Sequence, residues 1–460
     1  MRAQLTLSLF FIFGSIMAKA AEPKIIYEED PTLLTTTVQV LVLSGASSDP
    51  VGKAGLSNLL SDLVFRGTKK RDRTKFQGEI EKMGANIGGR VSHDSLIFAG
   101  RVIKENTIPF MKLLGEALLK PAFSKTELDA LKTETLAEIA NTKNSNARLS
   151  GLAIRRSMLG GTILEVPLSG NLSSVKGITL ADIKRAYNDR FNQGNLVFAI
   201  ASPLKEAEMK KVCAEIWSGM PDGLRRIGTS LPLKQPSEPT LVVVHKAKTS
   251  TGAVTLGQAG IVASDPMRYP LMTGNYSFGG EPLVSRLFRV IRSDLGWTYQ
   301  IGSTYGAMGP LTNQQGFYLI SSTPAVEFTG KTILKLLSMW KEYNTNGLKD
   351  SEIRLAKDSL INSYPFDFES AEKRLWQKLY SYLYNVPVLS QDEFAKIIND
   401  IDNKKVMEAL RARQTMNGWV VAVVADKDVV AKQLEEEQKE LPAAERLKIS
   451  RVMTPEEIVQ

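Results

Sequence analysis

The sequence predicts an α+β protein in two homologous domains, each a mainly antiparallel sheet with helices laid on one face. Three observations carry this. A pattern recurs at a fixed shift of 225 residues, strand patterns come in groups followed by groups of helices, and a run of prolines and glycines divides the chain. Glu127 and Lys132 in "SKTELDALKTETL" match Glu352 and Lys357 in "LKDSEIRLAKDSL", and Leu196 in "GNLVFAIASPLKEAEMKKV" matches Val421 in "GWVVAVVADKDVVAKQL" at the same shift. A short helix pattern precedes each of the last two, from Thr179 and from Asp402.

Taken in order, the first domain spans residues 22–217, with strands at Thr35–Leu43 and Ser95–Ile103 and a strand–turn–helix unit from Gly194. Residues 218–239 hold Pro221, Pro232, Pro236, Pro239, Gly219, Gly223 and Gly228, which cannot sustain helix or sheet and read as a linker. The second domain spans 240–440, with strands at Thr240–His245, Ala253–Ile261 and Gly316–Ser322. Residues 441–460 read as a solvated tail.

Composition narrows the chemistry. The chain has 460 residues, 43% hydrophobic and 23% charged, which excludes a disordered or collagenous protein. One cysteine, Cys213, excludes an intrachain disulfide and a thiolate zinc knuckle. The two histidines, His93 and His245, lie about 150 residues apart, so no zinc site with neighbouring histidines can form. The net charge of +9 is spread among interspersed acids, without a basic block interleaved with aromatics, so no nucleic-acid partner is expected.

Residues 1–20 have the form of a secretory signal. Arg2 is the positive start, Leu5–Ile16 an apolar stretch too short to span a bilayer, and Ala18-Lys19-Ala20 a cleavage site after Ala20. This predicts an exported, periplasmic protein with no stable membrane insertion once the signal is removed.

"GLSNLLSDLVFRGT" from Gly55 places Leu56, Leu59, Leu60, Leu63 and Val64 on one helical stripe. Asn58, Ser61 and Asp62 fall opposite it, on what is ordinarily a solvated face. "GANIGGRVS" carries the pair Gly88-Gly89, read either as a turn or as a strand open to close backbone approach. "GGEPLVSRLFRVIRSDLGWTYQIGS" from Gly279 predicts a helix with Pro282 in its first turn, a stripe Val284, Leu287, Phe288, Ile291 and Leu295, and a stop at Gly296. Arg292 falls in the last turn and Tyr299 on the strand that follows.

These segments resemble the pitrilysin/insulinase-type zinc metallopeptidases, the inverzincins. The frame around Asn58, ending Phe65-Arg66-Gly67-Thr68, resembles their active-site helix, which carries His-x-x-Glu-His. Here Asn58 and Asp62 stand at the two histidine positions and Ser61 at that of the glutamate base; Glu138, 76 residues beyond Asp62, matches the third zinc ligand. One ligand of three is kept and the base is gone. An amide and two carboxylates are hard oxygen donors suited to a weakly held calcium or magnesium rather than zinc. Ser285-Arg286-Leu287-Phe288, Arg292, Gly296 and Tyr299 match the family's second-domain signature, whose Arg and Tyr reach the substrate across a closed clamshell. Gly88 and Gly89 match the edge strand on which an extended substrate pairs.

The resemblance implies one half of a clamshell, without a metal or cofactor of its own. It implies a non-catalytic subunit whose zinc-bearing sister chain supplies the metal, with Arg292 and Tyr299 supporting a peptide's developing oxyanion in the partner's site. The alternative is a structural or peptide-binding scaffold with no hydrolytic role.

Overall fold

The computed structural model describes residues 23–460 apart from 226–229, 307, 310, 312 and 444. The expected export signal and linker residue Gly228 lie outside the described residues.

The first half forms a five-stranded sheet from β1 (Lys24–Glu29), β2 (Thr35–Val42), β3 (Asn86–Val91), β4 (Leu96–Ile103) and β5 (Leu196–Ser202), in the order β1-β5-β2-β4-β3. The second half forms a six-stranded sheet from β6 (Thr240–His245), β7 (Ala253–Ala259), β8 (Thr298–Tyr305), β9 (Phe317–Pro324), β10 (Val420–Ala425) and β11 (Ile449–Met453), in the order β11-β6-β10-β7-β9-β8. With β11 set aside, the two orders are the same. Each sheet is mixed: β1 runs parallel to β5 and β6 to β10, and the remaining pairs within the repeated unit are antiparallel. The repeat extends to single side chains. Lys132 Nζ donates to the carbonyls of Lys176 and Ile178, and Lys357 Nζ donates to those of Asn399 and Ile401.

Helices cover both faces of each sheet, one layer more than the sequence predicts. β5 and β10 read as continuous apolar runs because they are buried on both sides. One face of each packs on helices of its own half. The other face is covered by a helix from the opposite half. Leu149, Ala153, Ile154 and Met158, from the first-half helix Asn146–Leu159, pack on Val242, Val244, Val420 and Val424. Ala371, Leu375 and Leu379, from the second-half helix Ala371–Tyr384, pack on Ile26, Leu41, Val197 and Ala199. Beside that contact, Glu28 receives Arg374 Nε and Lys378 Nζ, each at 2.6 Å. This exchange couples the two cores, and no local periodicity could have announced it.

Residues 441–460 do not form a free tail. β11 adds to β6, and the helix Pro455–Val459 buries Ile458 and Val459. Among the described residues, no helix is long and apolar enough to cross a membrane.

Candidate functional site

The first-half site begins at the helix Leu56–Leu63. Gly55 starts it at φ 92°, where a Cβ would stand 2.6 Å from the Ser169 carbonyl oxygen. The Asp49 carboxylate accepts from the Ser57 amide at 3.1 Å and pairs with buried Arg190 at 3.0 Å, fixing the helix N-terminus. Leu56, Leu59, Leu60 and Leu63 enter the core, as the stripe predicts. Ser61 departs from the expected solvated face and is buried. β3 crosses directly over it, so a Cβ on Gly89 would fall 2.3 Å from the Ser61 carbonyl oxygen. Gly89 is therefore required for strand to meet helix, whereas a Cβ on Gly88 would meet nothing within 4 Å. Both glycines lie within β3, so the turn reading falls.

Asn58, Asp62, Gly88, Gly89 and Glu138 line one cleft of about 480 Å³. Burial is the largest influence on Asp62 and pushes its carboxyl up to about 6; Arg66 opposes this, and the Glu134 and Glu138 carboxylates reinforce it. Arg66 is held by a bidentate pairing with Glu134 and lies 3.6 Å from Glu127. Its charge therefore goes to carboxylates of the cleft wall.

The family's zinc does not fit these residues. Zinc is held tetrahedrally by Cys sulfur, His nitrogen and Asp or Glu oxygen, and here both histidines of the motif are absent and Asn58 supplies only a neutral amide. No group of three or more His, Cys, Asp or Glu side chains able to hold a metal occurs among the described residues. His93 and His245 cannot supply the lack. His93 sits in the turn between β3 and β4, with Nε2 3.3 Å from Arg155, and His245 Nδ1 accepts from the Lys427 amide at 3.1 Å.

The second-half site departs from the sequence reading in its helix. Residues 281–285 are turn and bend rather than helix, and Phe288–Asp294 is a π-helix, whose wider turn breaks the 3.6 period. Leu287 and Ile291 are buried as predicted, but Val284 and Leu295 are exposed. Gly296 makes the stop at φ 66°. The segment is tied to its domain by Glu352, which receives Arg286 in a bidentate pairing and Arg289 Nη2 at 3.1 Å. Burial alone would raise the Glu352 pKa, but the hydrogen bonds from Arg286 and the Lys349 amide outweigh it and hold the carboxyl low. Sequence reasoning used Glu352 only as a marker of the repeat, because its partners lie some sixty residues away.

Arg292 lies in the π-helix with its guanidinium over two rings, Phe288 at 4.7 Å and Tyr299 at 4.3 Å. Tyr299 is 76% exposed. It lies in a β-bulge: Thr298 pairs with Pro324 and Ile301 with Ser322, leaving two residues opposite one. Bulges and π-turns both re-aim side chains at the expense of regular bonding, and both concentrate at functional sites. Arg292 and Tyr299 are thus stacked on one another and presented outward. They are not among the residues that line the cleft of Asn58, Asp62 and Glu138, so the structure does not bring the two candidate groups together.

The fold and these two sites define a class: a tandem-domain metallopeptidase homologue with a degenerate zinc motif. Comparison with known proteins gives the family. The profile of Insulinase (Peptidase family M16) matches residues 24–167, and that of the Peptidase M16 inactive domain matches residues 177–360. The chain belongs to the M16 insulinase family. It is 20% identical over 386 residues to the "uncharacterized zinc protease YmxG" of Bacillus subtilis, covering 83% of this chain and 91% of that protein. It is 23% identical over 421 residues to the "non-peptidase homolog YmxG" of Helicobacter pylori, covering 88% and 93%. The solved periplasmic protease PqqL from Escherichia coli has the same fold, with a TM-score of 0.72 at 14% identity; the match covers 90% of this chain and 48% of that one.

Proposed function

We propose that this chain is the non-catalytic subunit of an exported zinc metallopeptidase heterodimer. It encloses a peptide with a zinc-bearing sister chain and lends Arg292 and Tyr299 to that chain's site. One observation carries the reading: Asn58 and Asp62 stand at the two histidine positions and Ser61 at that of the base, while Arg292 and Tyr299 lie together, stacked at 4.3 Å and turned to solvent by a bulge. A scaffold has no use for an outward phenol held by a guanidinium. The fold supports the reading too, since the chain has the two tandem domains that make one side of a clamshell. Export is supported by the signal-like residues 1–20.

In the assembly, Tyr299 Oη–H and the Arg292 guanidinium would donate to the oxygen of the scissile carbonyl as charge develops on it. β3, with its free edge and open Gly88, would pair with the extended peptide backbone. The test is complementation. Peptide hydrolysis by a zinc-bearing sister chain is measured alone and with an equimolar amount of this protein. The expected result is turnover that requires both chains. A sister chain equally active alone would leave the scaffold reading in its place.

A further inference from the structure

Arg155 is a half-buried cation that meets no carboxylate among the described residues. It lies on the helix Asn146–Leu159. One Nη donates to the Leu164 carbonyl and the other faces His93 Nε2 at 3.3 Å. The imidazole accepts that hydrogen bond only when neutral, so it brings no compensating charge; burial and Arg155 together push the His93 pKa down to about 4. Among the described residues Arg155 makes no ion pair, in contrast to Arg66, Arg190, Arg286 and Arg374, each of which meets a carboxylate. A guanidinium withdrawn from water without a counter-ion is costly, and its remaining N–H groups form a fork of the geometry that a carboxylate fits.

Arg155 lines a cavity of about 260 Å³. Arg148, two helical turns earlier on the same helix and exposed, also lines it, so two guanidinium groups share one wall. Leu152, Ile458 and Val459 supply apolar lining. Ser169 borders both this cavity and the cleft of Asn58 and Asp62, so the two spaces adjoin.

We infer that Arg155, assisted by Arg148, forms a receptor for a carboxylate carried on an apolar group, and that its occupant is the C-terminal end of a peptide. Positive charge at the base and apolar wall beside it match a terminal carboxylate next to an aliphatic side chain. Leu152, Ile458 and Val459 add an apolar wall to the cavity that an aliphatic side chain beside the carboxylate would meet and a phosphate would not. The choice of a peptide rests on the function proposed above; the preference for a carboxylate does not.

The test uses this protein alone, with acetyl-Gly-Leu, its C-terminal amide, and sodium acetate at matched ionic strength as probes. Affinity is measured by calorimetry. The expected result is at least tenfold tighter binding of the acid than of the amide, with acetate weaker than the acid by a similar factor. Arg155→Met should abolish the difference between acid and amide while keeping a melting temperature no lower than the parent, because it removes an unpaired buried charge. If that variant fails to fold, Arg155→Lys, which keeps the charge and loses the fork, should narrow the preference about tenfold. Equal binding of acid and amide, no binding of either, or an unchanged preference in a folded variant would overturn the inference. Acetate binding as tightly as the peptide acid would overturn the peptide occupant. None of these results bears on complementation by the sister chain, so the two proposals fail separately.

Discussion

The two halves of this protein place different chemistry at corresponding points of the same sheet order. β3 and β8 are corresponding edge strands. In the first half the edge strand presses on a helix that carries Asn58 and Asp62 where the family's signature has histidines and Ser61 where it has the glutamate base. In the second half the edge strand bulges outward and displays Tyr299 against Arg292. The first half packs regularly and carries no histidine at the positions of the metal motif. The second has irregular backbone, a π-helix and a bulge, beside Arg292 and Tyr299. Irregular backbone beside a polar pair is the stronger mark of function, since π-turns and bulges concentrate at functional sites.

The comparison can be broken or sharpened by experiment. The largest effect belongs to the second half. With a zinc-bearing sister chain, Tyr299→Phe and Arg292→Ala should each lower kcat by about 10²–10³, equivalent to about 3–4 kcal/mol of transition-state stabilisation. KM should change less than kcat, because the lost hydrogen bond forms as the charge develops. Assembly should be unaffected by size-exclusion chromatography, and loss of the complex would reassign both residues to docking.

In the first half the largest effect is steric. Gly89→Ala should destabilise the chain by about 1–3 kcal/mol in urea unfolding, because its Cβ meets backbone only 2.3 Å away. Gly88→Ala should lie within about 0.5 kcal/mol of the parent, since that position is open. Equal effects would contradict the strand-on-helix contact.

Asp62 gives a smaller effect with a definite sign. Its folded pKa, about 6, lies above the ordinary carboxyl value of 3.8. The native state therefore holds a proton that the unfolded chain releases across that window. The contribution to stability is fully present below pH 3.8 and is lost as pH rises through about 6. Asp62→Asn should accordingly raise stability at pH 7 by about 1–2 kcal/mol, allowing for partial solvent access, and flatten the dependence between those pH values. A destabilised variant would mean that the carboxylate has a favourable partner in the cleft. Last, Ser61→Glu alone should give no hydrolysis, because a restored base has no metal-bound water to act on.

Much of the fold was legible in the sequence. The shift of 225 residues locates the repeat, and Lys132 and Lys357, matched by sequence, make matching hydrogen bonds in space. The strands at Thr35, Ser95, Thr240, Ala253 and Gly316 lie within a residue or two of their places. Three features were not legible. The helix predicted from Pro282 begins late and widens, because its form is set by Glu352 on a distant helix. The exchange of Asn146–Leu159 and Ala371–Tyr384 between halves depends on apolar faces that look ordinary in isolation. Residues 441–460 looked polar enough for solvent, yet Met453, Ile458 and Val459 suffice to anchor a strand and a short helix. At the site, residue identities were readable and exposure was not. Ser61 is covered because β3 crosses it, a contact fixed by a glycine some thirty residues away.

The proposal's central claim is an asymmetric division of labour: no metal chemistry in the first half, and in the second an Arg–Tyr pair that acts on a peptide carbonyl at a metal held by another chain. Metal content tests it most directly. The mature protein, its zinc-bearing sister and their equimolar mixture are dialysed against trace zinc and analysed for metal and for peptide hydrolysis in the same samples. The account predicts no stoichiometric zinc and no hydrolysis for this chain alone, and one zinc per pair with full turnover in the mixture. About one zinc on this chain alone, or a mixture that turns over no faster than the sister chain by itself, would contradict it.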